Sequence, residues 1–312
     1  MKPEINHPMT TPAQLNLTPQ MPLPSAAAMA YEETVLGWAS SADAGLWHAR
    51  GIAYGEHPMH KFDVFAAPDT PADAPVLVFF HGGGWTNGYK EYVSFMASHV
   101  VAIGCVLVAP SYRLAPGAPL PAAFEDGAAL LATLQKVLPA WPRAKAAGGS
   151  VELARRVVLA GHSAGGHLAA LLALRPDALI RAGADPDHIV GCLPISGIFD
   201  LHHPEPAPGS LEARVYDMVL GPHTDDALMS PLCWARGNTV PMVLSWGEYD
   251  SHRVARSNQR MASLLATQGG PWAAFVEPHA DHFQTHTSLV DGTHAWYRRL
   301  ACVAHNRGVP RD

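Results

Sequence analysis

Gly161-His-Ser-Ala-Gly165 sets a serine between two glycines at a spacing that suits nucleophilic chemistry. A G-x-S-x-G segment turns a strand sharply into a helix and leaves the hydroxyl exposed at the turn. Alone the pattern is weak, because a chance match in a chain of this composition has odds of roughly one in ten. Its neighbours sharpen it. Val157-Val-Leu-Ala160 is a strand-length apolar run leading in, and the Ala/Leu-rich stretch 164–174 leads out as a helix. Gly161 and Gly165 have no Cβ, so chain and helix can pass closely there. The helix N-terminus favours developing negative charge. Ser163 is therefore the candidate nucleophile; a plain glycine-rich turn is the competing reading.

His81-Gly-Gly-Gly-Trp85 follows a second apolar run, Val76–Phe80. Three glycines let backbone N–H groups face a cavity with no side chain in the way. Such donors stabilise a tetrahedral oxyanion, and losing one typically costs about 3–4 kcal/mol. The expected donors are the N–H groups of Gly83, Gly84 and Ala164, with Gly82 serving the turn. A phosphate-binding loop is disfavoured, because the segment lacks both a Lys-Ser/Thr ending and the spacing of a dinucleotide fingerprint.

A serine hydroxyl needs a base, and the base needs an orienting acid. With a strand–serine–helix turn the acid and then the histidine follow later in the chain. Gly247-Glu-Tyr-Asp250 follows the apolar run Met242–Trp246, which makes Asp250 the candidate acid and Glu248 its alternative. His279, His282 and His286 all follow the last apolar run, Trp272–Val276; His282, in Asp281-His-Phe283, is the candidate base and His279 its alternative. The chain holds 18 histidines, so most must be without a catalytic role. His279-Ala-Asp-His282 looks like half of a metallo-hydrolase motif, but no H-x-H precedes it and no metal is expected. Trp85, Trp246 and Phe283 flank these motifs and either line an apolar substrate pocket or pack the core.

The elements that would carry these residues alternate. Strands are expected at 61–66, 76–80, 106–109, 157–160, 189–194, 242–246 and 272–276. Helices are expected at about 25–44, 91–103, 121–137, 164–174, 251–268 and 293–304. Alternation of this kind points to a mostly parallel sheet with helices on both faces, and such sheets bind ligands at the carboxyl ends of their strands. Residues 202–210 read as a Pro/Gly-rich loop, and the stretch from there to Pro231 as part of a cap. Residues 1–24 read as a loose arm or a strap over the body, and 25–312 as one domain.

With these residues in hand, the sequence resembles the α/β-hydrolase superfamily, specifically its hormone-sensitive-lipase-like carboxylesterases and its kynurenine formamidase (arylformamidase) branch. The matching pieces are His81–Trp85, Ser111-Tyr-Arg-Leu-Ala-Pro116, Pro121 with Asp126, Gly161–Gly166, Ile195-Ser-Gly-Ile-Phe-Asp-Leu201, Gly247–Asp250 and Asp281–Phe283. They run from about Tyr54 to the end of the chain. The resemblance implies an α/β-hydrolase fold with a small cap made from the N-terminal segment and insertions. It also implies hydrolysis of a small ester or formamide-type aryl amide through an acyl-enzyme, without a cofactor. A carbamate is the alternative substrate. For Tyr112, Arg113 and Asp126 it implies bracing roles around the serine turn. A non-catalytic binding protein of this fold is the rival from another class, and such proteins usually lose a catalytic residue. A peptidase of this fold usually carries a large extra domain.

The totals agree with a small-molecule enzyme. Of 312 residues, 48% are hydrophobic and 15% charged, enough for one large core. A formal charge of −6 with scattered arginines argues against nucleic acid. No run approaches the ~18 apolar residues of a membrane span, and the N-terminus lacks the apolar core of a signal peptide. Cys105 and Cys192 lie in apolar runs, as expected for buried thiols in a reducing compartment. The expected location is the cytoplasm, and a homodimer is the working expectation for assembly.

Overall fold

The computed structural model describes residues 15, 17–40, 45–71, 73–136, 156–221 and 226–310. Most of the expected arm (1–14 and 16), the 41–44 end of the first expected helix, position 137, and 222–225 of the expected cap lie outside them.

Eight strands form one sheet: β1 (Trp47–Ala53), β2 (Lys61–Ala66), β3 (Val76–Phe80), β4 (Val106–Pro110), β5 (Val157–His162), β6 (Ile189–Ile195), β7 (Met242–Tyr249) and β8 (Trp272–Asp281). Their order is β1-β2-β4-β3-β5-β6-β7-β8. The first two pairings are antiparallel, and from β4 to β8 the sheet is parallel. β3, β4 and β5 are buried along their whole length, which is why they read as unbroken apolar runs.

Period-two alternation sends side chains into two cores. Val157 and Leu159 face the helices Ala122–Lys136, Ala164–Leu174 and His252–Leu265. Val158 and Ala160 face the helices Ala26–Ala39, Ala97–Ala102 and Ala295–Ala304. The chain order reverses between β3 and β5, whose carboxyl ends lie side by side with Phe80 opposite Gly161. A reversal of this kind opens a crevice above the sheet, and both the glycine turn and Ser163 emerge at it.

Some elements depart from the expected ones. β1 has no clear apolar alternation: most of its residues face solvent, and a bulge between Ala49 and Ile52 holds Gly51 at φ 66°. The helix Pro176–Ala182 starts on a proline directly after the buried 164–174 helix. The segment expected as one helix over 91–103 is a 3-10 helix, Lys90–Met96, followed by Ala97–Ala102. β7 and β8 each run past their apolar cores, to Tyr249 and Asp281, and these two residues pair across the strands.

Candidate active site

That extra length positions the candidate acid and the candidate base. Asp250 and His282 each come one residue after the paired Tyr249 and Asp281, so strand register sets them side by side. Asp250 Oδ1 lies 2.8 Å from His282 Nδ1, and His282 Nε2 lies 2.9 Å from Ser163 Oγ. The Asp250 carboxylate is fully buried and also accepts N–H groups from Ser251 at 3.0 Å and Gly247 at 3.3 Å. Burial alone would raise its pKa, but the His282 hydrogen bond and charge, the Ser196 hydroxyl and the Gly247 N–H outweigh burial and hold it below 3.8. His282 keeps 26% of its side chain exposed, so its ring reaches the crevice.

Ser163 has φ 55° and ψ −117°, a conformation an L-residue adopts only under constraint. Its N–H donates to the Ile195 carbonyl at 2.9 Å, and its own carbonyl accepts from His167 N–H at 2.9 Å. The flanking glycines are sterically required. A Cβ on Gly165 would sit 2.0 Å from the Phe80 carbonyl oxygen, and one on Gly161 2.4 Å from the Gly165 backbone.

The glycine turn holds Gly83 at φ 124° and Gly84 at φ 61°. A Cβ on Gly83 would sit 2.0 Å from the Asn87 carbonyl oxygen, whereas the Gly84 position faces open space. Neither Gly83 N–H nor Gly84 N–H finds an acceptor among the described residues. His81 beneath them is buried and neutral, its pKa lowered to about 4 by burial. Its Nδ1–H donates to the Gly82 carbonyl at 2.8 Å, and its ring stacks on Tyr112 at 4.3 Å. Tyr112 Oη donates to the His81 carbonyl at 2.8 Å. Arg113 grips Asp126 through Nε at 2.8 Å and its backbone N–H at 2.7 Å. The His81 and Tyr112 contacts hold the start of the glycine turn, and the Arg113–Asp126 pair ties the segment after β4 to the Ala122–Lys136 helix.

The alternatives lie elsewhere. Glu248 accepts the His279 N–H at 2.8 Å, and the His279 side chain is 83% exposed. His286 is buried, stacked on Phe79, and shares a 2.8 Å hydrogen bond with Tyr31 Oη. Of the three flanking aromatics, only Phe283 meets the site: its half-buried ring lies edge-on to His282 at 5.5 Å. Trp85 is 3% exposed and donates its Nε1–H to His167 Nδ1 at 3.2 Å. Trp246 is 7% exposed and packs in the core.

Sequence reasoning passed over several residues that shape the site. Gln20 exchanges two 2.7 Å hydrogen bonds with the Gly88 backbone, and Tyr89 Oη donates to the Thr18 carbonyl at 2.8 Å. The 18–20 segment therefore straps the end of the glycine turn. Arg214, in the helix Leu211–Arg214, donates to Thr86 Oγ1 at 3.0 Å from the other side. Only the polar composition of the N-terminal stretch hinted at a strap. Thr285 had no local signal, and Ser196 lay in the Ile195–Leu201 stretch without being singled out.

Comparison with known proteins agrees with the fold. A family model described as alpha/beta hydrolase fold matches residues 77–285, more than half of the chain, and the chain belongs to that family. Kynurenine formamidase of Salmo salar is 26% identical over 272 residues, covering 85% of this chain and 87% of that protein. Esterase LipC of Mycobacterium tuberculosis is 35% identical over 131 residues, 41% of this chain and 30% of LipC. A hyperthermophilic esterase from the archaeon Pyrobaculum calidifontis superposes with a TM-score of 0.70 over 95% of this chain and 94% of its own, at 21% identity. The chain is a hydrolase akin to the carboxylesterases and kynurenine formamidases. Among the described residues no helix is long and apolar enough to cross a membrane.

Proposed function

We propose that the chain is a serine hydrolase that cleaves a small ester or a formamide-type aryl amide through an acyl-enzyme on Ser163. The observation that carries this reading is the continuous hydrogen-bond path from Ser163 Oγ through His282 to buried Asp250. His282 Nε2 takes the serine proton while Nδ1–H donates to the Asp250 carboxylate, which fixes the tautomer and stabilises the imidazolium. Ser163 Oγ then attacks the substrate carbonyl. The oxyanion settles among the N–H groups of Gly83, Gly84 and Ala164, at the start of the 164–174 helix. His282 returns the proton to the leaving alcohol or amine, and water repeats the sequence on the acyl-enzyme.

The formamide reading draws support from the Salmo salar relative, which this chain matches over most of both lengths. The ester reading draws on the shorter match to LipC. Buried thiols at Cys105 and Cys192 fit a reducing compartment such as the cytoplasm. Initial rates on p-nitrophenyl acetate, p-nitrophenyl octanoate and N-formyl-kynurenine, with Ser163→Ala as control, test the reading. Turnover of N-formyl-kynurenine far above the esters assigns formamidase activity, and the reverse order assigns carboxylesterase activity. Near-normal turnover by Ser163→Ala refutes the mechanism.

A further inference from the structure

The main-chain carbonyl of His282 is held from two sides. His162 Nε2 lies 2.7 Å from it and Thr285 Oγ1 lies 2.8 Å from it. His162 is fully enclosed; burial first, then the charges of His282 and His286, keep its ring neutral. A carbonyl oxygen only accepts, so Nε2 carries the single ring proton. Nδ1, buried and without a hydrogen-bond partner among the described residues, is the bare nitrogen, and it abuts Gly82.

Thr285 Oγ1 also lies 2.9 Å from Ser196 Oγ. Ser196 follows the last residue of β6, is fully buried, and holds φ 48°. A serine kept at a positive φ, where glycine would sit without strain, implies that its side chain is used. Each hydroxyl owns one proton and the carbonyl only accepts, so Thr285 donates to the His282 carbonyl and Ser196 donates to Thr285. The hydroxyl pair thus holds the backbone of the base.

We propose that Ser196 and Thr285 form a hydroxyl relay that positions His282 through its main chain, with His162 as the fixed second anchor on the same carbonyl. The proposal rests on the reading of Ser163, His282 and Asp250 as the catalytic residues. Ser196, Thr285 and His162 are positioning residues that act through His282. Their leverage is geometric, since misplacing a reacting group by about 1 Å can cost on the order of a hundredfold in rate.

Three variants separate the relay from packing. Ser196→Gly removes the hydroxyl and relieves the positive φ. Thr285→Val removes the hydroxyl and keeps the shape, and Thr285→Ser keeps the hydroxyl. Each is assayed for kcat and KM on p-nitrophenyl acetate, beside Ser163→Ala. Ser196→Gly and Thr285→Val should lose roughly tenfold in kcat at near-constant KM, the rate equivalent of one modest hydrogen bond. Thr285→Ser should stay close to the unmodified protein. Unchanged kcat in Ser196→Gly overturns the relay. So does Thr285→Ser as damaged as Thr285→Val, which would assign the loss to packing. An active Ser163→Ala defeats the catalytic reading itself, whereas an inactive Ser163→Ala beside unaffected relay variants removes the relay alone.

Discussion

Lowering the pH from about 7.5 to about 5 should remove most of this protein's stability, through histidines that hold the site's turns. His81 lies under the glycine turn, His167 under Trp85, and His286 behind the serine turn, all fully buried. Burial lowers His81 and His167 from 6.5 to about 4, and His286 to about 3. Folded pKa values below the unfolded one mean that the fold favours the neutral ring. The stabilisation is therefore complete above about pH 6.5 and is lost as the pH falls from there toward about 4. At pH 5 each unfolded histidine gains about 2 kcal/mol by binding a proton that the folded one excludes, about 6 kcal/mol for the three. Total stabilities are about 5–15 kcal/mol, so this decides whether the chain stays folded. His162 shifts in the same direction and adds to the loss. Asp177 and Asp250, whose pKa values lie below 3.8, lose their stabilisation only at lower pH, outside this window.

Urea unfolding followed by tryptophan fluorescence at several pH values reads this directly. His286→Phe keeps a ring stacked between Phe79 and His162 but cannot titrate. It should be less stable at pH 7.5, because Tyr31 Oη loses its partner. Its further loss on going to pH 5 should be smaller than that of the unmodified protein by about 2 kcal/mol. A urea midpoint that does not move between pH 7.5 and 5, or an equal pH loss in His286→Phe, would refute the reasoning.

Other perturbations follow from single contacts. Asp250→Asn should lower kcat by on the order of a thousandfold or more with little change in melting temperature, because an amide cannot hold the His282 tautomer or balance an imidazolium; steady-state kinetics and calorimetry on one preparation check both halves. Gly165→Ala should cost about 3 kcal/mol or yield no folded protein, since its Cβ would meet the Phe80 carbonyl at 2.0 Å and backbone cannot yield as a side chain can; the melting temperature is the readout. Gln20→Ala should speed amide hydrogen exchange at Gly88 by roughly tenfold, the loss of one modest hydrogen bond to that N–H, and unchanged exchange there would mean that the strap does not hold the turn.

What was legible in the sequence is what depends on near neighbours. The runs at 76–80, 106–109 and 157–160 read as strands because burial on both faces leaves no polar position to interrupt them. Ser163 was legible because the strand before it, the glycines around it and the helix after it are consecutive in the chain. β1 was not, because an exposed, bulged edge strand carries no periodic signal. The aromatic neighbours of the motifs were left open between pocket and core for a related reason. Trp246 shares its face of β7 with Met242 and Leu244, so alternation sends its indole into the core. Trp85, at φ 60°, turns its indole onto His167.

The residues that orient the site belong to a third kind. Ser196 meets Thr285 across 89 positions, and His162 meets the His282 carbonyl across 120. The Ile195–Leu201 stretch around Ser196 stands out in the sequence but gives Ser196 no role, because its partner is delivered by strand register. β7 and β8 pair as far as Tyr249 and Asp281, across a register shift between Gly247 and Tyr249, and that pairing brings Asp250, His282 and Thr285 to the same end of the sheet as Ser196. A one-residue slip of β8 would reverse every side chain on it and move His282 away from Asp250. The catalytic assignment therefore depends on the packing that holds β8 in register as much as on the three side chains themselves.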